Sequence, residues 1–68
     1  MSNDKVSAAR PAALAKAGLT ASNVGRERNA FHDDGSVEFS FFSNRGNKRF
    51  LARVMVAPNG NATVLASE

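Results

Sequence analysis

Residues Val37-Glu38-Phe39-Ser40-Phe41 alternate strictly between apolar and polar side chains. A β-strand turns successive side chains to opposite faces, so this run must be half-buried, with Val37, Phe39 and Phe41 on one side. Turn signals divide the rest of the chain. Asn44-Arg45-Gly46-Asn47 leads into a second apolar stretch, Lys48 to Ala57, and Pro58-Asn59-Gly60-Asn61 leads into a third, Ala62 to Ala66. Asn-Gly is a strong hairpin signal because both residues tolerate positive φ. Asp33-Asp34-Gly35-Ser36 is a turn sequence for backbone reasons. A three-stranded antiparallel meander is expected, with room for a fourth short strand around residues 29–32.

Centring the first hairpin on Arg45-Gly46 pairs Val37 with Val54, Phe39 with Ala52 and Phe41 with Phe50 on one face. The other face then pairs Glu38 with Arg53, Ser40 with Leu51 and Phe42 with Arg49, an arrangement that allows one ion pair and one cation–π contact. A slip of one residue would break both patterns. Centring the second hairpin on Asn59-Gly60 adds Val56 with Thr63 and Val54 with Leu65 to the first face, and Met55 with Val64 and Ala57 with Ala62 to the second. The first face is the expected core. The second collects Phe42, Leu51, Met55 and Val64 within a rim of Lys48, Arg49 and Arg53.

The core needs a cover. Ala8 to Leu19 is rich in alanine, leucine and lysine, all good helix formers. Pro11 suits a first helical turn and Gly18 the left-handed residue just past a helix end, where Leu19 folds back on the last turn. These signals predict a helix over residues 10–17, with a thin apolar side of Ala13, Leu14 and Ala17. Residues 1–7 read as a flexible N-terminus and residues 8–68 as a single small α+β domain, with the N-terminal helix packed on the three- or four-stranded meander.

Thr20 to Asn29 fits either a second short helix, capped by Thr20 or Ser22, or a loop leading to a strand. Leu14–Asn29 faintly resembles a helix-turn-helix, with Ala17 and Gly18 at the turn and Val24 as a buried position in the second helix. That resemblance implies Ser22, Asn23, Arg26 and Arg28 as base or phosphate contacts. Leu14 and Glu27 depart from the pattern, standing where it needs a small and an apolar residue.

Composition narrows the functional classes. A chain of 68 residues has no cysteine and one histidine, His32, so it offers neither a disulfide framework nor a thiolate metal site. A core of this size rarely supplies more than roughly 3–5 kcal/mol, which favours a homodimer or a partner. No serine has a visible base partner, and no glycine pattern matches a phosphate loop. The expectation is a non-enzymatic protein with no catalytic residues, no metal and no cofactor. With no long apolar run and no leader-like segment, a cytoplasmic protein that does not enter membranes is expected.

The net charge is +3. Five bases and five acids lie between Met1 and Glu38, whereas Phe39 to Ser67 holds Arg45, Lys48, Arg49 and Arg53 with no acid. This bias favours an anionic partner. The expected function is a small nucleic-acid-binding accessory or regulatory protein whose basic hairpin contacts nucleic acid through Arg45, Lys48, Arg49 and Arg53. The alternative is a protein-binding module or small inhibitor, of the kind phages and mobile elements carry, docking through Phe42, Leu51, Met55 and Val64.

Overall fold

The computed structural model describes residues 2–46 and 49–68. A helix, α1 (Ser2–Ala17), is followed by a short 3-10 turn (Ala21–Asn23) and four strands: β1 (Val24–Phe31), β2 (Val37–Ser43), β3 (Phe50–Val56) and β4 (Ala62–Ser67). The strands form one antiparallel sheet in the order β1-β2-β3-β4. The fold is α+β, an N-terminal helix on a β-meander. The fourth strand is a full eight-residue β1 rather than a short segment at 29–32, and it replaces the second helix that a helix-turn-helix would need.

α1 covers one face of the sheet. Val37, Phe39, Phe41, Ala52, Val54 and Val56 are buried beneath it, and Phe39, Phe41 and Val54 are closed off completely. The helix contributes Val6 and Ala13, with Ala9, Leu14 and Ala17 packed at the margin. These positions recur every three or four residues, so they form one stripe on the helix. Phe39 and Phe41 stack with centroids 5.7 Å apart. The helix ends as its sequence implies. Gly18 takes φ 73°, its N–H donates to the Ala15 carbonyl, and the Leu19 N–H reaches back 2.9 Å to the Leu14 carbonyl. That pair of bonds satisfies carbonyls the helix would otherwise leave open.

The helix starts eight residues earlier than residue 10, which places Pro11 in its interior. Proline has no N–H to give the Ser7 carbonyl one turn back, and its ring crowds that carbonyl. Both residues are on the exposed side, where water can serve the carbonyl.

The strand registers differ from those the turns suggested. β2 and β3 pair Val37 with Val56, Phe39 with Val54 and Phe41 with Ala52, two residues away from the expected pairing. A shift of two keeps every side chain on its face. At the end near the β2–β3 turn a bulge sets Phe42 opposite Phe50 and leaves Leu51 as the extra residue. Phe50 therefore lies on the face away from the helix, and Leu51 packs against the core. β3 and β4 pair Val54 with Val64 and Met55 with Thr63, one residue off, so Val64 turns to the helix side.

The cause of the second change is the turn. The Ala57 N–H donates to the Asn61 carbonyl and the Gly60 N–H to the Ala57 carbonyl, closing a three-residue loop, Pro58-Asn59-Gly60, with Gly60 at φ 92°. The β1–β2 turn repeats this network: His32 N–H to Ser36 carbonyl, Gly35 N–H to His32 carbonyl, and Gly35 at φ 91°. In each, the side chain before the glycine accepts an amide two residues on, Asp34 from Ser36 at 2.9 Å and Asn59 from Asn61 at 3.0 Å. The Ser36 amide and hydroxyl hold the Asp34 carboxyl below its ordinary range.

One ion pair ties α1 to β1. The Arg10 guanidinium donates through Nε and Nη2 to both carboxylate oxygens of Glu27, at 2.8 and 2.9 Å. Glu27 also accepts from Asn29. Burial alone would push the Glu27 carboxyl up, but the bonds from Arg10 and Asn29 outweigh it and hold the group below its ordinary value.

Pro11→Ala restores a helical hydrogen bond and removes a clash, so it should stabilise the fold by on the order of 2 kcal/mol. In a domain of this size that raises the thermal midpoint by roughly 10 °C, measurable by circular dichroism. The Glu27 pair should also give stability a pH signature. Because the folded-state value is depressed, the contribution is complete above the unfolded glutamate value, about 4.3, and is lost as pH falls through the folded value. Glu27→Gln should flatten urea midpoints measured across that acid range, leaving the smaller slope from Asp34.

Candidate nucleic-acid interface

The strands alternate, so the side chains that do not face α1 form a second surface, and none of the described elements lies over it. Pairing partners place its residues in rows. Arg26, Phe42 and Phe50 make the row nearest the β2–β3 turn. Arg28, Ser40, Arg53 and Ala66 make the next, and Ala30, Glu38, Met55 and Thr63 the third. Neighbours within a row stand about 5 Å apart and rows about 7 Å apart. Two half-buried phenylalanines thus sit beside three arginines on one flank of the sheet.

Local sequence explains why each is there. Arg26 and Arg28 are two apart on β1 and must share a face. Glu27 between them points the other way, to Arg10. The bulge at Gly25 sets this register. A side chain at 25 would fall onto the Asn44 backbone and within 2.8 Å of the Ser43 carbonyl oxygen, so only glycine lets β1 approach the end of β2. Phe50 reaches this face through the bulge at Leu51, and its ring meets Phe42 edge-on at 5.9 Å and 73°.

The face is electropositive. Glu38 is the one acid on it among the described residues. Its carboxylate contacts His32 Nε2 at 3.0 Å and Arg53 Nε at 3.3 Å. Arg53 Nε also lies 3.4 Å from Ser40 Oγ, and its guanidinium stands 5.9 Å from the centre of the Phe50 ring. The cation–π contact expected between Phe42 and Arg49 is thus made by Phe50 and Arg53. Glu38 and Arg53 meet diagonally rather than as direct partners. Neither Arg26 nor Arg28 has a carboxylate partner among the described residues.

The hairpin tip is less concentrated than the sequence suggested. Arg45 is exposed at the turn, where its N–H donates to Ser43 Oγ at 3.0 Å. Arg49 is paired with the Glu68 carboxylate. Lys48 lies outside the described residues. Of the four apolar residues expected on this surface, Phe42 and Met55 are there. Leu51 and Val64 are not: both line a groove on the helix side with Lys16, Ala17 and Leu19. Phe50 was missed because alternation alone put it opposite Phe41. Arg26 and Arg28 were singled out on a helix that does not form; the Arg-x-Arg spacing in a strand was the signal that placed them.

No protein-family model, curated protein or solved structure matches the chain. Any functional reading therefore rests on the chemistry of this surface.

Removing the lone acid should strengthen the field of the face. Glu38→Gln, which keeps the hydrogen-bonding shape, should elute from a heparin column at higher salt than the wild type, and Arg28→Ala at lower salt. Equal elution of all three would show that anions meet some other surface.

Proposed function

We propose that the protein binds single-stranded nucleic acid on the open sheet face, in an accessory or regulatory role. One observation carries the reading: Phe42 and Phe50 stand together on an uncovered face, with Arg26, Arg28 and Arg53 in the same and the adjoining row. Aromatic rings give unpaired bases a stacking surface worth about 1–3 kcal/mol per base. Arginines flanking them hold the phosphates that connect those bases. The Arg45 turn extends the positive track beyond the sheet.

The shape favours a single strand over a duplex. Four strands at about 4.8 Å spacing make a surface too broad for a major groove of about 12 Å. Only the β2–β3 hairpin is narrow enough to enter one. A flat face with rings in its middle suits splayed bases instead. The alternative, a protein-binding module or inhibitor, draws on the same surface through Met55 and the two rings. The arginines with no carboxylate partner tilt the balance toward a polyanion.

The test is fluorescence anisotropy with a labelled oligothymidine and a duplex of equal length, at two salt concentrations. The single strand should bind tighter. Its log affinity should fall with log salt, with a slope near about −2 if three phosphates are neutralised, and Arg28→Ala should reduce the steepness by about 0.7. Phe42→Ala or Phe50→Ala should each cost about 1–3 kcal/mol with the slope unchanged. Duplex preference, or affinity indifferent to both rings, would overturn the reading.

A further inference from the structure

The two edges of the sheet are built differently. Along β1 the register is broken at Gly25, and Arg26, Glu27 and Arg28 place charges on consecutive residues. Bulges and edge charges discourage another strand from pairing. β4, by contrast, reads Ala62-Thr63-Val64-Leu65-Ala66-Ser67, with no charge, proline or glycine, and every residue from Thr63 onward is exposed. Leu65 is 47 % exposed and Val64 37 %. On the free side of β4, alternate N–H and C=O groups point away from β3 with no strand to receive them.

We propose that β4 pairs antiparallel with β4 of a second copy, joining two four-stranded sheets into one continuous sheet about a two-fold axis. The charges beside the edge select this occupant. Lys16 of α1 borders the groove beside Asn61, Ala62 and Thr63 at one end of β4, and also the groove beside Ser67 and Glu68 at the other. Antiparallel pairing lays the Glu68 end of one copy along the Asn61 end of its mate. Each Lys16 then gains a carboxylate from the opposite copy, and the uncharged strands meet without like-charge repulsion. A β4-to-β1 contact would not close on itself and would extend into filaments, and the charges and bulge of β1 oppose it.

Light scattering after size-exclusion chromatography, from low to high micromolar full-length protein, should show a mass rising to twice that of one chain and stopping there. Leu65→Lys and Thr63→Lys should stay monomeric with an unchanged far-ultraviolet circular dichroism spectrum. If either variant loses its fold, a charge exchange decides: Lys16→Glu alone and Glu68→Lys alone should weaken the dimer, and the double variant should restore it. A monomer at every concentration, a dimer that survives Leu65→Lys, no rescue by the double variant, or mass that keeps growing with concentration would each overturn the proposal.

Discussion

A helix faced with alanine can come close to a sheet only if the sheet supplies the bulk. Ala13 is fully buried against a surface carrying Phe39, Phe41 and Val54, with Ala9 and Ala17 above and below it on the same helical stripe. The division of volume is complementary, small side chains on the helix and rings on the strands, so the two layers pack densely without large residues meeting head-on. Every other element is arranged around that contact. Leu19 returns under the helix end because Gly18 permits the turn, and Arg10 reaches over the helix flank to hold β1 through Glu27.

A single layer of cover leaves the sheet with two surfaces under different rules. Beneath α1, volume and burial decide what is allowed. On the other flank, charge and aromatic surface are free to serve a partner, and the only constraint from the fold is the β propensity of the strand. Arg26, Glu27 and Arg28 show both rules in three residues: the outer two face outward, and the middle one is committed to the helix. In the two-fold pairing of β4, both open flanks lie on the same side of the joined sheet and both helices on the other.

Much of this was legible in the amino-acid sequence, and the limits have physical causes. Alternation at Val37–Phe41 named the core face, and Gly18 named the helix end. Alternation has a period of two, so it fixes which side a residue takes but not which partner it meets, and the β2–β3 pairing came out two residues away. Bulges change side as well as partner, which is how Phe50, Leu51 and Val64 exchanged faces. No local pattern in 48–56 announces the bulge at Leu51. Pro11 hid the first half of α1, because proline is common at a helix start and costly inside one. The positive face was only half visible, since Arg26 and Arg28 lie in a stretch whose glycine and charges do not look like a strand until Asn44 is seen against Gly25.

The alanine stripe has a consequence for how the chain comes into being. α1 is synthesised before β3 and β4, the strands that carry much of its cover, so it must wait with its inner side open to water. Each strand of the meander then pairs with the one made just before it, through short loops that close quickly. Only the docking of the helix spans the length of the chain. A waiting helix lined with leucine or phenylalanine would be adhesive toward other nascent chains. One lined with alanine offers little for them to hold, and gains its grip only when the rings of the sheet arrive.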